Sequence, residues 1–309
     1  MPNWLKIYLS GVFMGMADVV PGVSGGTMAF ILGVYDRLIN ALSGVNKASV
    51  KMLLKGNIKG LWRHFDLTFL LLLGMGILTS IALFARVISY WLINYPTFVW
   101  SFFFGLILAS SVLLIRQIES IRLAEANALL LGVCLGVGVS LLVPAQLQIS
   151  YYMIFLAGMI AICAMILPGI SGSFMLLMMG MYGFILTAIK GMQFDVIFVF
   201  AMGALLGIMS FSKLLKWLLM HYQSLTFALL TGVMLGALVK VWPWKVTQEW
   251  VLIGEKKYPS VESLVLPWHY EGYQIGTDLL LPIGCMLLGL LSIFLISYIF
   301  LPKSKKHNI

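Results

Sequence analysis

Two stretches of this chain set small polar residues, in the same order, into otherwise apolar surroundings. The first holds Asp18, Pro21, Gly22, Ser24, Gly25, Gly26 and Thr27; the second holds Pro168, Gly169, Ser171, Gly172 and Ser173. Proline has no N–H and cannot sit inside a helix without breaking its hydrogen-bond ladder. Glycine lets the chain turn sharply and leaves the backbone uncovered. Each stretch therefore ends one helix, near Val20 or Leu167, and starts another near Ser24 or Ser171, serine being a favoured N-cap. A helix start offers unpaired N–H groups and the positive end of the helix dipole. With glycines alongside and the hydroxyls of Thr27 and Ser173 close by, the chemistry on offer is anion recognition by backbone amides. The plainer reading is a kink that only shapes packing.

The two stretches belong to a duplication. Residues 15–35 read GMADVVPGVSGGTMAFILGVY and residues 162–182 read ICAMILPGISGSFMLLMMGMY. One offset, 147, carries Pro21 onto Pro168, Ser24 onto Ser171, Gly33 onto Gly180 and Tyr35 onto Tyr182. Further along the offset shrinks to 127, matching Arg86 with Lys213, Tyr95 with Tyr222 and Gly105 with Gly232. Self-similarity of this kind marks a repeat architecture. In lipid a helix break survives only inside protein or beside a wet cavity, and paired breaks at repeat interfaces form transporter sites.

The elements that must position these breaks are membrane spans. The 309 residues are 61% hydrophobic and 10% charged, with a mean hydropathy of +1.02. That excludes an ordinary soluble domain. The net charge of +9 sits in short connections between apolar runs, which suits orientation in a bilayer better than binding nucleic acid. Cys134, Cys163 and Cys285 are scattered through apolar segments and form neither a disulfide framework nor a metal site. The N-terminal apolar run leads straight into Asp18 and the first break, and reads as mature structure rather than a cleaved leader.

The expected fold is an all-α polytopic membrane protein of two inverted repeats, each a re-entrant broken-helix hairpin plus three transmembrane helices. Residues 1–148 make the first repeat: hairpin 4–42, basic insert 46–63, and spans 66–93, 97–115 and 126–144. Residues 149–309 make the second: hairpin 151–189, spans 195–219 and 225–242, outer loop 243–276 and span 278–301. The hairpin is read as two arms around its break, 4–20 and 24–42 in the first copy, 151–167 and 171–189 in the second. Three spans per half is an odd number, so re-entrant hairpins invert the halves. With both termini cytoplasmic, the insert, Arg116, Arg122, Lys213, Lys216 and Lys303–Lys306 then lie inside, as the positive-inside rule asks. Hairpins that cross the membrane fully fit the charges less well. The insert, with Lys47, Lys51, Lys55, Lys59 and Arg63 every four residues and leucines between, reads as an interfacial helix on anionic lipids or as a solvated basic loop.

Arg86 is the cation deepest in an apolar span, where insertion costs about 2.5–3.5 kcal/mol, so a substrate role or a watery cavity is expected of it. Its repeat-mate Lys213 shares that role or snorkels to the surface. Asp18 either couples transport to protons or sodium, or is a structural partner for Arg86 or a nearby N–H. The repeat has Met165 at this position, so the halves differ chemically. His64, His221, His269 and His307 fall apart in connections or tails, and no catalytic set, metal site or cofactor motif can be placed on one face. The protein is therefore read as a non-enzyme.

ADVVPGVSGGTMAFILGVYDRLI at 17–39 and AMILPGISGSFMLLMMGMY at 164–182 closely resemble the two signature segments of the bacterial polyprenyl-phosphate transporter family. The resemblance covers nearly the whole chain. It implies a flippase of the cytoplasmic membrane that returns undecaprenyl phosphate, or another polyprenyl phosphate, to the inner leaflet for reuse in cell-envelope synthesis. A weaker similarity runs to undecaprenyl pyrophosphate phosphatases. Their loop arginine is Gly25 or Gly172 here, and their acidic motif is not found. A phosphatase and a small-anion transporter are the rival readings.

Overall fold

The computed structural model describes residues 2–20, 23–118, 120–142, 149–253, 256–269 and 274–300. Pro21, Gly22 and Lys303–Lys306, on which the sequence reading leans, lie outside the described residues. The first half runs through α1 (Asn3–Asp18), α2 (Gly25–Ile31), α3 (Tyr35–Leu42), α4 (Lys47–Leu54), α5 (Ile58–His64), α6 (Leu67–Asn94), α7 (Pro96–Ile115) and α8 (Leu123–Ser140). The second runs through α9 (Tyr151–Ile166), α10 (Gly172–Met178), α11 (Tyr182–Lys190), α12 (Phe194–His221) and α13 (Gln223–Ala237). An antiparallel hairpin, β1 (Lys245–Ile253) and β2 (Lys256–Leu264), follows, and α14 (Leu281–Phe300) is entered through a π-helical turn at Ile275–Leu280. Among the described residues, α6, α7, α8, α12 and the Ile275–Phe300 helix are each long and apolar enough to cross a membrane. The chain is an all-α polytopic membrane protein.

Three details depart from the sequence expectation. The second arm of each broken element is two helices, not one, because Gly33 and Gly180 stop it at φ 70° and 68°. Each sits in a Schellman cap: Val34 N–H donates to Ala29 O and Gly33 N–H to Phe30 O, and Met181 N–H and Gly180 N–H repeat the pattern onto Leu176 O and Leu177 O. After that stop α11 leaves α10 at 109°. The basic insert is two short helices, α4 and α5, parted by Gly56 at φ 66°. The long connection after α13 is not irregular but carries β1 and β2, and α13 ends at Ala237, earlier than the 225–242 span.

The duplication is visible in the helices themselves. α6 and α12 are both 28 residues long, and their C-caps, Tyr95 (φ −138°, ψ 52°) and Tyr222 (φ −136°, ψ 49°), nearly coincide in backbone conformation. α7 begins on Pro96, whose missing N–H costs nothing at a helix start.

Glycines set the spacing and direction of the helix pairs. A Cβ at Gly11 would lie 2.1 Å from Leu73 O, and one at Gly76 2.2 Å from Tyr8 O, so α1 and α6 touch backbone to backbone. One turn on, Gly15 meets Ile77 and Ser80; both helices advance together and are parallel. Gly158 and Gly203 pair α9 with α12 in the same way. Gly132 with Gly232, then Gly136 with Gly236, run α8 parallel to α13, and Gly105 with Gly289 join α7 to α14. So the last helix of each half packs on a helix of the other half. α7 and α13 pack against each other, with α2 against α7 and α3 against α12. The core lies here, with Val20, Val23, Ile107, Leu114, Leu230 and Met234 almost wholly buried.

Candidate functional site

The two breaks meet. Pro168 forces the residue before it out of the helical region, and Leu167 is extended (φ −71°, ψ 129°), freeing its carbonyl from the end of α9. Ser24 Oγ donates to that carbonyl at 2.9 Å. Gly169 lies at φ 89°, a conformation that favours glycine. Its N–H donates to Thr27 Oγ1 at 3.0 Å, and Tyr35 OH donates to Ile166 O at 3.2 Å. Pairs of residues 131 to 143 positions apart in sequence thus tie the end of α9 to the starts of α2 and α3.

The repeat-mates are chemically unequal. At the first break the amides are already engaged. Gly25 N–H donates to Asp18 Oδ1 at 2.7 Å, Gly26 N–H to Ser24 Oγ at 3.1 Å, and Thr27 N–H to Ser24 O at 3.0 Å. Asp18 thus partners a nearby N–H and not Arg86. Its other oxygen, Oδ2, is buried with no hydrogen-bond partner among the described residues. A Cβ at Gly25 would lie 2.5 Å from that oxygen, so only glycine lets the backbone come this close. At the second break Ser171 makes no capping bond; its Oγ pairs with Ser173 Oγ at 2.8 Å.

A small cleft, partly open to its surroundings, lies over the second break. Gly169, Ile170, Ser171, Phe174, Ser140 and Lys240 are among the residues that line it. Lys240 Nζ is 3.1 Å from Glu262 Oε2 and 4.9 Å from the Phe174 ring centre. Lys245 Nζ stands 3.5 Å from the same Glu262 oxygen and 4.0 Å over the Trp100 ring. Burial pushes the Lys245 ammonium down to about 8, with Lys240 adding to the fall and Glu262 opposing it.

Of the residues named from sequence, Ser24, Gly25, Gly26 and Thr27 lie at the start of α2, which is bonded to Leu167 and Gly169 on either side of Pro168, while Ser171, Gly172 and Ser173 lie at the start of α10. Gly169 and Ser171 line the cleft; Gly172 is pressed against Ala161 O, where a Cβ would lie 2.5 Å away. Arg86 and Lys213 do not line it. They occupy matched positions on exposed faces of α6 and α12. Sequence reasoning missed Lys240, Glu262 and Ser140 as site residues. The available signal was a lysine close to the end of an apolar run, Lys240, with no counterpart in the first repeat, where Leu113 stands at the 127 offset.

A polytopic helical protein with two interrupted helices meeting beside a polar cleft has the architecture of a membrane transporter. The model of the VCA0040-like family, described as undecaprenyl phosphate translocase-like, matches residues 14–257, and this chain belongs to that family. The chain is 45% identical over 270 residues to the polyprenyl-phosphate transporter of Vibrio cholerae, covering 87% of this chain and 88% of the relative. It is 32% identical over 265 residues to the polyprenyl-phosphate transporter of Staphylococcus aureus, covering 78% and 87%. No solved structure matches the chain.

Proposed function

We propose that this protein carries polyprenyl phosphate, undecaprenyl phosphate foremost, across the bacterial cytoplasmic membrane by alternating access around its two helix breaks. The observation that carries the reading is the contact of the breaks, Ser24 to Leu167 and Thr27 to Gly169, beside a cleft that holds Ser171 and a lysine. A phosphate headgroup suits hydroxyls, uncovered backbone and an ammonium, while its polyprenyl tail stays in lipid. The relatives' names favour a transporter over a phosphatase.

Parallel pairing supports the re-entrant, inverted arrangement. α1 and α6 point the same way, so the chain between them returns to the end from which it started; α9 and α12 repeat this. Fully crossing hairpins would make those pairs antiparallel. Pro21 and Gly22 complete the first break in this reading. Arg86 and Lys213, exposed on apolar helices, attract the headgroup as it passes rather than hold it. Asp18 couples the cycle to a proton or sodium: its carboxylate holds the Gly25 amide that a phosphate would otherwise take. The insert rests on anionic lipid of the cytoplasmic leaflet, where both termini also lie. Leu53, Leu54, Ile58 and Trp62 are exposed beside Lys51, Lys55, Lys59 and Arg63.

The test is movement of undecaprenyl phosphate between leaflets of proteoliposomes. Protein-dependent flipping is expected, and an Asp18→Asn variant should change its pH or sodium dependence. Flipping at the rate of empty liposomes refutes the reading.

A further inference from the structure

Recognising a phosphate away from water takes a compensating cation as well as neutral donors, and neither Arg86 nor Lys213 lines the cleft. We propose that Lys240 is the cation that receives the phosphate headgroup at the second break, and that Glu262 of β2 holds Lys240 as a stand-in anion until the headgroup displaces it. This rests on the transport reading above and names the part of the site that reads charge.

The geometry has three parts. Lys240 lies in the turn just beyond α13, and its Nζ is set between Glu262 Oε2 at 3.1 Å and the face of Phe174, a residue of α10, at 4.9 Å. Lys240 lines the cleft together with Gly169, Ile170 and Ser171. Second, Lys245 shares the same Glu262 oxygen at 3.5 Å, and its side chain is 5% exposed. Two ammonium groups thus meet at one carboxylate oxygen. Third, Glu262 stands on the β hairpin, outside the helices that form the cleft. The hairpin is tied back by Val265 N–H to Trp244 O at 3.0 Å and Trp242 Nε1–H to Val265 O at 2.9 Å.

A carboxylate brings one negative charge. A phosphate monoester brings about −1.5 to −2 and three acceptor oxygens, so it satisfies two lysines better than Glu262 does. The exchange breaks the Glu262–Lys240 ion pair and forms a phosphate–Lys240 pair, with Ser171 and Ser140 hydroxyls in reach of the cleft. A neutral polyprenol has nothing with which to displace Glu262. The latch thus makes the site specific for the phosphorylated lipid.

The experiment uses the full chain in detergent, with binding of farnesyl phosphate in one arm and inorganic phosphate in the other. Thermal melting of each variant checks folding. Lys240→Gln should weaken farnesyl phosphate binding by ~10–100-fold, the range for a charge-assisted hydrogen bond, while Lys240→Arg keeps most of it. Glu262→Gln should tighten binding several-fold. Parallel changes in the phosphate arm mean that free phosphate enters the same site, and changes in the lipid arm alone make the lipid the source; both support the lysine. Wild-type affinity in a folded Lys240→Gln variant overturns the proposal. If that variant does not fold, Glu262→Gln decides: tighter binding supports the latch, and unchanged or weaker binding overturns it. Wild-type flipping in proteoliposomes reports separately on the transport reading, so the two can fail independently.

Discussion

Ser24 and Ser171 are repeat-mates with the same residue type in the same motif, yet replacing them with alanine should have opposite kinds of effect. Ser24 Oγ accepts from Gly26 N–H at 3.1 Å and donates to Leu167 O at 2.9 Å, and it is almost wholly buried. Removing an N-cap hydroxyl costs about 1 kcal/mol. Leaving the part-buried Leu167 carbonyl with only the long contact from Ile170 N–H, at 3.5 Å, adds about 1–3 kcal/mol. Ser24→Ala should therefore lose about 2–4 kcal/mol and loosen the junction between the halves. Ser171 Oγ makes no capping bond and pairs only with the half-buried Ser173 hydroxyl, which can turn to another acceptor. Ser171→Ala should cost less than about 1 kcal/mol but impair polyprenyl phosphate transport, because Ser171 lines the cleft. The assay is thermal unfolding of both variants in the same detergent, alongside flipping in proteoliposomes. With roughly 2–4 °C per kcal/mol for domains of 150–250 residues, Ser24→Ala should melt at least ~2 °C below Ser171→Ala. Equal melting temperatures, or a larger loss for Ser171→Ala, would refute the assignment of a structural role to one serine and a binding role to the other.

Three further outcomes follow from the geometry. Gly232→Ala would put a methyl group 2.1 Å from Leu129 O, so α8 and α13 must separate, at about 1–3 kcal/mol in a melt. Adding Gly132→Ala should then cost much less than on its own, and strict additivity would mean that the helices do not touch there. In a cysteine-free background, single cysteines at Gly44 and Gly191 should be labelled by an impermeant reagent from opposite faces of the membrane; labelling from one face would sink the inverted arrangement. Lys245 titrates near 8 in the folded protein against an ordinary 10.5, so its charge costs stability below about pH 8 and the cost fades as pH rises toward 10.5. Over that interval wild-type stability should rise relative to Lys245→Met, and a flat difference would show that burial does not depress the Lys245 ammonium.

The sequence by itself determined that the chain spans a membrane, that it is duplicated, and where each helix breaks. Apolar length, the 147-residue offset and proline–glycine chemistry are local properties, and they act before any tertiary contact forms. Gly33 and Gly180 were part of the same matched pattern, but their effect was underestimated. A glycine at positive φ stops a helix even in an apolar run, which leaves α2 and α10 short. The direction of helix pairing was latent in the glycine positions, yet which glycine meets which is a choice among many pairings, and only packing makes it. The inequality of the breaks was likewise decided in three dimensions. Motif and spacing treat Ser24 and Ser171 alike. The end of α9 reaches Ser24 because the halves interlock, whereas Asp18 reaches Gly25 and Lys240 reaches the cleft over Ser171 through folding within each half. A lysine from a loop and a glutamate from a β hairpin carry no periodic signature, so their charge complementarity appears only once the chain has brought them within 3.1 Å.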